Sequence, residues 1–298
     1  MRVAITGASG LLGGALAAAL ERDGQPVVRL VRRVPERPGE IRWDPQAADG
    51  GLDPAAFDGV DAVVNLAGAP IAGGWWTQPR KQVLRASRIQ TTRALVAALA
   101  RASRPPSVLL SGSAIGWYGD TGSREVDESA PAGAGFLADL VRDWEDAAQP
   151  ARQAGLRVAT LRSGVVLSGR GGMLGPLVPL FRFGLGARLG PGTQYLSWIS
   201  LTDHVAAVRY LLDHADIDGP VNLTAPAPVT NAEFTARLAR ALRRPALLRV
   251  PAPVLRTSLG ELSGELLGSQ RVRPARLLAA GFAFRYGDLA GALAAELA

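Results

Sequence analysis

Gly7, Gly10 and Gly13 stand at the spacing G-x-x-G-x-x-G, between the apolar run Arg2 to Thr6 and an amphipathic stretch, Leu11 to Arg22. Strand, tight turn and helix in that order make a seat for a pyrophosphate. Gly7 permits the turn, Gly10 lets backbone N–H groups approach the anion at the positive helix end, and Gly13 allows close packing of helix on strand. Ser9, Leu11 and Leu12 supply the neighbouring N–H groups. A second polar set, Ser111, Ser113 and Tyr118, closes the apolar run that begins at Pro105. A serine hydroxyl there can orient a carbonyl, and a phenol can move a proton.

The stretch Pro26 to Arg33 bears on which dinucleotide is bound. A carboxylate at its end would accept from a ribose 2′-OH, whereas Arg32 and Arg33 suit a 2′-phosphate, so NADP is expected over NAD. In "GVDAVVNLAGAP", Asn65 ends another strand and is expected, with Ala67 and Gly68, against the cofactor, where the small residues let the backbone lie near the adenine ribose. Strands alternating with helices in this way imply a Rossmann-type α/β fold. Its doubly wound parallel sheet would gather all these residues at the strands' carboxyl ends.

Composition removes other chemistries. The 298 residues include no cysteine and only His204 and His214, so disulfides, thiolate nucleophiles and a histidine metal cluster fall away, and no metal is expected. No stretch reaches 18 uncharged apolar residues and the start lacks a basic leader, so a cytoplasmic protein without a membrane partner is expected. The net charge of +7 comes from arginines scattered along the chain, with Lys81 the only lysine. Without a basic stripe, nucleic acid is not expected as a partner.

Taken together, "TGASGLLG", "VNLAGAPI", "SRIQTT", "SGSAIGWYGD", "LRSGVVLSGRGGML", "QYLSWISLTDHV" and "GELLGSQRVRPARLLAAGFAF" resemble the atypical, epimerase-like branch of the extended short-chain dehydrogenases/reductases. Some members of that branch are described as cell-division-inhibitor-like. The resemblance implies an NADP-binding Rossmann domain over residues 1–168 that also receives about 200–224. It implies a flap over 169–199 and, at 225–298, a smaller α+β substrate lobe. It also places Arg88, Ser111, Arg162 and Gly164 against the cofactor, and Arg182, Gln194 and Trp198 of the flap against the substrate.

The second half agrees in outline. Thr230 and Glu233 form a capping box before an amphipathic helix, and the proline-rich "PALLRVPAPVL" reads as an edge segment or connector. The closing residues predict helix, short strand, helix. Between the lobes, the glycines and prolines of Gly169 to Trp198 predict a long irregular loop, either a flap over the reacting centre or a cover for the core. His204, behind Asp203 at a helix start, reads as a packing histidine.

One expected pair is missing. Relatives of this type protonate the alkoxide left by hydride transfer with Tyr-x-x-x-Lys, but Phe136 or Leu137 stands at the tyrosine's place and Leu140 or Val141 at the lysine's. Ser113 and Tyr118 are left as catalytic candidates, and Glu145 reads as a structural acid facing solvent or an arginine. Lys81 and Arg88 share a similar helix face, from which either could reach the cofactor or stand as a solvated charge. Two functions fit: an NADP(H)-dependent oxidoreductase or epimerase-like enzyme with a small-molecule substrate, or a non-catalytic NADPH-binding regulator linked to cell division.

Overall fold

In the computed structural model, which describes residues 1–47, 50–72 and 74–297, seven strands form one parallel sheet. They are β1 (Val3–Thr6), β2 (Val27–Val31), β3 (Glu40–Arg42), β4 (Ala62–Asn65), β5 (Val108–Ala114), β6 (Arg157–Ser163) and β7 (Gly219–Leu223). Across the sheet they run β3-β2-β1-β4-β5-β6-β7, so the order reverses between β1 and β4. That reversal opens a crevice at the carboxyl ends, where ligands of open α/β sheets bind.

Both faces are covered, which is why the strands read as nearly continuous apolar runs. Val3, Ile5, Val64, Leu110 and Leu161 pack on α1 (Leu11–Arg22) and α6 (Leu201–Asp213). Ala4, Val63, Leu109 and Val158 pack on α3 (Thr91–Arg101) and α4 (Phe136–Ala148). Between α2 (Gln78–Arg85) and α3, the turn Ala86–Gln90 is a π-helix that carries Arg88. Among the described residues, no helix is long and apolar enough to cross a membrane.

A second core, built around Trp198, Phe181, Phe234 and Leu238, gathers α5 (Leu174–Arg182), α7 (Asn231–Ala241) and the C-terminal helix Leu289–Leu297. The expected capping box of Thr230 and Glu233 opens α7. Leu248–Val250 pairs only with Ala187–Leu189, as its prolines imply.

Two expectations need correction. Gly169 to Trp198 is not a structureless loop: α5 forms within it, since Pro176 lies in the first turn, where no N–H is required, and the buried face of Leu174 and Phe181 holds the helix despite Pro179 in its interior. No strand forms between Ala279 and Leu289, since the N–H groups of Arg285 and Tyr286 donate instead to the buried Asp203 carboxylate at 2.7 and 2.9 Å.

Candidate functional site at the strands' carboxyl ends

The glycine turn divides its work as the spacing implies. Gly7 takes φ +68°, and a Cβ on it would lie 2.6 Å from the Leu66 carbonyl oxygen; a Cβ on Gly13 would lie 2.4 Å from that of Gly7. A Cβ on Gly10 would meet only that same Gly7 oxygen, at 3.3 Å, so its outer side is open. α1 then starts on Gly10 with no side-chain cap and no acid in its first turn. Its leading N–H groups, with exposed Ser9 and half-buried Leu11 and Leu12, fit a pyrophosphate.

Behind this turn Thr6 and Asn65 act as a brace. Thr6 Oγ1 donates to Asn65 Oδ1 at 2.7 Å and accepts from the N–H groups of Leu66 and Ala67, while Asn65 Nδ2 donates to Thr92 Oγ1 at 2.9 Å. Asn65 has no exposed surface, so it shapes the Ala67–Gly68 backbone from behind. Gly68 leaves room for the Arg88 guanidinium, on which a Cβ there would press at 3.1 Å. Arg88 is 9% exposed and donates to the Ala69 and Leu84 carbonyls. With no carboxylate partner among the described residues, burial lowers its pKa to about 10, with Arg80 adding repulsion.

The two arginines after β2 part company. Arg33 grips Glu40 through both terminal nitrogens, at 2.9 and 2.6 Å, and the Glu40 carboxyl falls to about 2 under this bond and the N–H groups of Glu36 and Arg37. Arg32 is exposed, with no hydrogen-bond or ion-pair partner among the described residues. The 2′-phosphate reading therefore narrows to Arg32, with Arg33 held along β3.

At the end of β5 lies a buried network that sequence reasoning anticipated only in part. Ser113 Oγ donates to Glu145 Oε1 at 2.6 Å, and Arg162 clamps the same carboxylate from Nε at 2.8 Å and from its second terminal nitrogen at 3.0 Å. Arg162 also donates to the Tyr118 hydroxyl at 3.1 Å and stacks on the Trp117 ring at 3.9 Å; Tyr118 donates onward to Asn222 Oδ1 at 2.7 Å. Glu145 faces an arginine as expected, but not solvent.

Helix geometry explains how the acid arrives there. Leu137, Val141 and Glu145 recur every four residues on one face of α4, and a Cβ on Gly116 would touch both Leu137 and Val141. Apolar side chains fill the places of the missing tyrosine and lysine, and the next turn brings Glu145 under Ser113. A charge inside an apolar stripe was the available sequence signal.

Other expected residues are placed differently. Arg162 is 2% exposed and committed to Glu145, so it braces the site from beneath instead of meeting a cofactor. Tyr118 is buried with both hydroxyl partners protein groups, so its proton is committed to Asn222, and burial pushes its pKa up to about 12, which keeps it from serving as a phenolate base near neutrality. Gly164 is small because a Cβ would strike the Ser197 carbonyl oxygen at 2.7 Å. Ser111 Oγ is buried without a hydrogen-bond partner among the described residues.

The flap residues are not brought to this site. Trp198 has no exposed surface and its indole N–H donates to the Ala227 carbonyl, so it belongs to the second core. Gln194 is buried and donates to the Leu189 and Leu266 carbonyls, although its Oε1 has no partner among the described residues. Arg182 lines a cleft between α1 and α6. Lys81 is taken up by Glu261 and the Phe136 ring. His204 is fully buried, its Nε2 3.0 Å from Ser163 Oγ, and desolvation lowers its pKa to about 4. Among the described residues, no group of three or more acidic or histidine side chains could hold a metal ion.

Comparison with known proteins matches residues 3–224 to the NAD-dependent epimerase/dehydratase family and residues 250–296 to a domain of unknown function, DUF1731. The chain is similar to the epimerase family protein Mb2239 of Mycobacterium bovis, 50% identical over 98% of this chain and 96% of that one. It is also similar to the crystal structure of the human epimerase family protein SDR39U1 (isoform 2) with NADPH: 33% identity, TM-score 0.90, 99% of each chain. A nucleoside-diphosphate sugar epimerase from Corynebacterium glutamicum matches at 38% identity and TM-score 0.82, over 100% of this chain and 58% of that one.

Proposed function

Because the chain belongs to the NAD-dependent epimerase/dehydratase family, we propose that it is an NADP(H)-dependent oxidoreductase or epimerase-like enzyme of the extended short-chain type, acting on a small molecule through Ser113 and Glu145. The open turn at Gly10 and the N–H groups of Ser9, Leu11 and Leu12 would hold the pyrophosphate. Ala67 and Gly68 would receive the adenine ribose, Arg32 the 2′-phosphate, and Arg88 remains on the cofactor side. The NADPH in the human relative supports NADP here. When bound, the nicotinamide supplies or takes up a hydride.

The observation that carries this reading is the 2.6 Å bond from Ser113 to Glu145. Because the serine proton points at the carboxylate, the lone pairs of Oγ are left to accept from a substrate hydroxyl. In the oxidising direction the substrate O–H proton passes to Ser113 Oγ as the serine proton passes to Glu145 Oε1; in the reducing direction both return. The serine relays without ever standing as an alkoxide, so its high pKa is no obstacle. Arg162 fixes the carboxylate by its two-point grip.

The second reading is the non-catalytic NADPH-binding regulator, linked to cell division. It draws on the apolar packing of Leu137 and Val141 where a tyrosine and lysine would work. Either way a cytoplasmic location fits, with neither nucleic acid nor membrane as partner. The deciding experiment incubates the protein with NADPH deuterated at nicotinamide C4, on each face in turn, and a metabolite extract. A product heavier by one mass unit, lost in Ser113→Ala, supports the enzyme. No labelled product from a protein that binds NADPH supports the regulator.

A further inference from the structure

We propose that the cleft between α1 and α6 is a second binding site, for a small ligand carrying two or more phosphate groups. It has a volume of about 860 Å³, and its charged lining residues are Arg22, Arg170, Arg182, Arg209, Arg285 and Glu296. Arg209 is paired with Asp23. The other four guanidiniums have no ion-pair partner among the described residues, although Arg170 lies close enough to Glu296 to be felt by its carboxyl.

Glu296 does not neutralise them. Its carboxylate lies among the backbone N–H groups of Gly169, Leu201 and Thr202 at the start of α6, and burial raises its pKa despite Arg170. With Arg209 neutralised by Asp23, four guanidiniums thus face one carboxylate that is already engaged. Such an excess in one concavity attracts an anion whose charges are concentrated, and guanidinium groups match phosphate oxygens two at a time.

The backbone that carries two of the arginines is also held in place. Asp203, 1% exposed, fixes the backbone at Arg285 and Tyr286, and Ser168 Oγ, with no exposed surface, accepts from the Arg170 N–H at 3.1 Å. Between them runs a floor of Ala15, Ala18 and Ala206 against which a flat or apolar body can lie. Ligand pockets typically measure roughly 300–1,000 Å³, so the volume suits a molecule of nucleotide size better than an acidic peptide. Arg22 lies eleven residues beyond Leu11, roughly 16 Å along the helix at 1.5 Å per residue, so the pyrophosphate at the glycine turn is a separate ligand.

The test titrates the whole chain, saturated with NADPH so that the glycine turn is filled, with inorganic tripolyphosphate and with ADP in a calorimeter. One saturable site is expected, weakened at least tenfold in Arg182→Gln/Arg285→Gln while NADPH affinity is unchanged. The variant should melt no lower than the parent without ligand, because it relieves like-charge repulsion. Tighter binding of ADP identifies a nucleotide lying on the alanine floor; equal or tighter binding of tripolyphosphate identifies the phosphate chain alone. No saturable heat, or heat that the double variant leaves intact, overturns the proposal. Should NADPH not bind, the titration is run on the free chain with Arg32→Ser as control, and the same variant decides.

Discussion

Replacing Glu145 by glutamine tests whether the buried network is a matched charge pair. Arg162 is 2% exposed and Glu145 7%, and their two-point contact at 2.8 and 3.0 Å leaves the guanidinium no other acid among the described residues. Removing one partner of such a pair strands the other charge in a low-dielectric interior, which costs about 3–5 kcal/mol. Glutamine keeps the shape and one oxygen, so roughly 3 kcal/mol is expected in the free energy of unfolding. The exposed pair Arg142–Asp139, 3.0 Å apart on the same helix, is the control: Asp139→Asn should cost about 0.5 kcal/mol or less. Glu145→Leu/Arg162→Met, which removes both charges, should recover most of the loss. Urea unfolding of the three variants and the parent gives the numbers. A cost below about 1 kcal/mol for Glu145→Gln, with no recovery in the double variant, would refute a desolvated pair and with it the fixed position of the Ser113 partner.

The remaining expectations each address one part of the molecule. Arg32→Ser should weaken NADPH binding much more than NADH binding, whereas Arg33→Ser should act mainly by freeing Glu40; equal losses for both cofactors in Arg32→Ser would remove the 2′-phosphate assignment. Gly10→Ala should leave the fold stable to within about 1 kcal/mol yet abolish tight dinucleotide binding, while Gly13→Ala, whose Cβ would meet the Gly7 oxygen at 2.4 Å, should destabilise the protein itself. The two are told apart by melting curves beside a fluorescence titration with NADPH. His204 has its pKa lowered in the folded state to about 4, so the unfolded chain binds the proton first and stability falls as pH drops from about 6.5 towards 4, at up to about 1.4 kcal/mol per unit. His204→Gln should flatten that slope relative to the parent, and identical slopes would show that the histidine is not buried uncharged.

The sheet was legible because its signals are local. Apolar runs, glycine turns and amphipathic helices each declare themselves within about ten residues, and the parallel order follows from their alternation. Asn65 and Trp198 depart from expectation for a common reason: a polar or aromatic residue in a suggestive motif invites a ligand-facing reading, although its partners lie far along the chain. Asn65 is satisfied by Thr6 and Thr92, and Trp198 by Ala227. α5 was hidden by its prolines, whose cost depends on position within the turn and on a buried face that no local pattern reveals.

The altered centre follows from a displacement of one helical turn. A tyrosine with a neighbouring lysine works because a cation makes a phenol easier to ionise. Here the phenol on hand, Tyr118, is pushed the other way, to about 12, because the desolvation it suffers outweighs the Arg162 guanidinium beside it. The cation instead serves Glu145, one turn beyond Val141, and the hydroxyl that donates to that carboxylate is Ser113. Tyr118 is then a bridge from Arg162 to Asn222. Tyr118→Phe should cost about 1 kcal/mol of stability for its lost hydrogen bonds and leave substrate turnover within a few-fold, whereas Ser113→Ala should remove turnover while NADPH affinity is retained. If Tyr118→Phe proved as damaging to turnover as Ser113→Ala, the phenol would have to reach the reacting oxygen after all, and the Ser113–Glu145 relay would lose its claim to replace it.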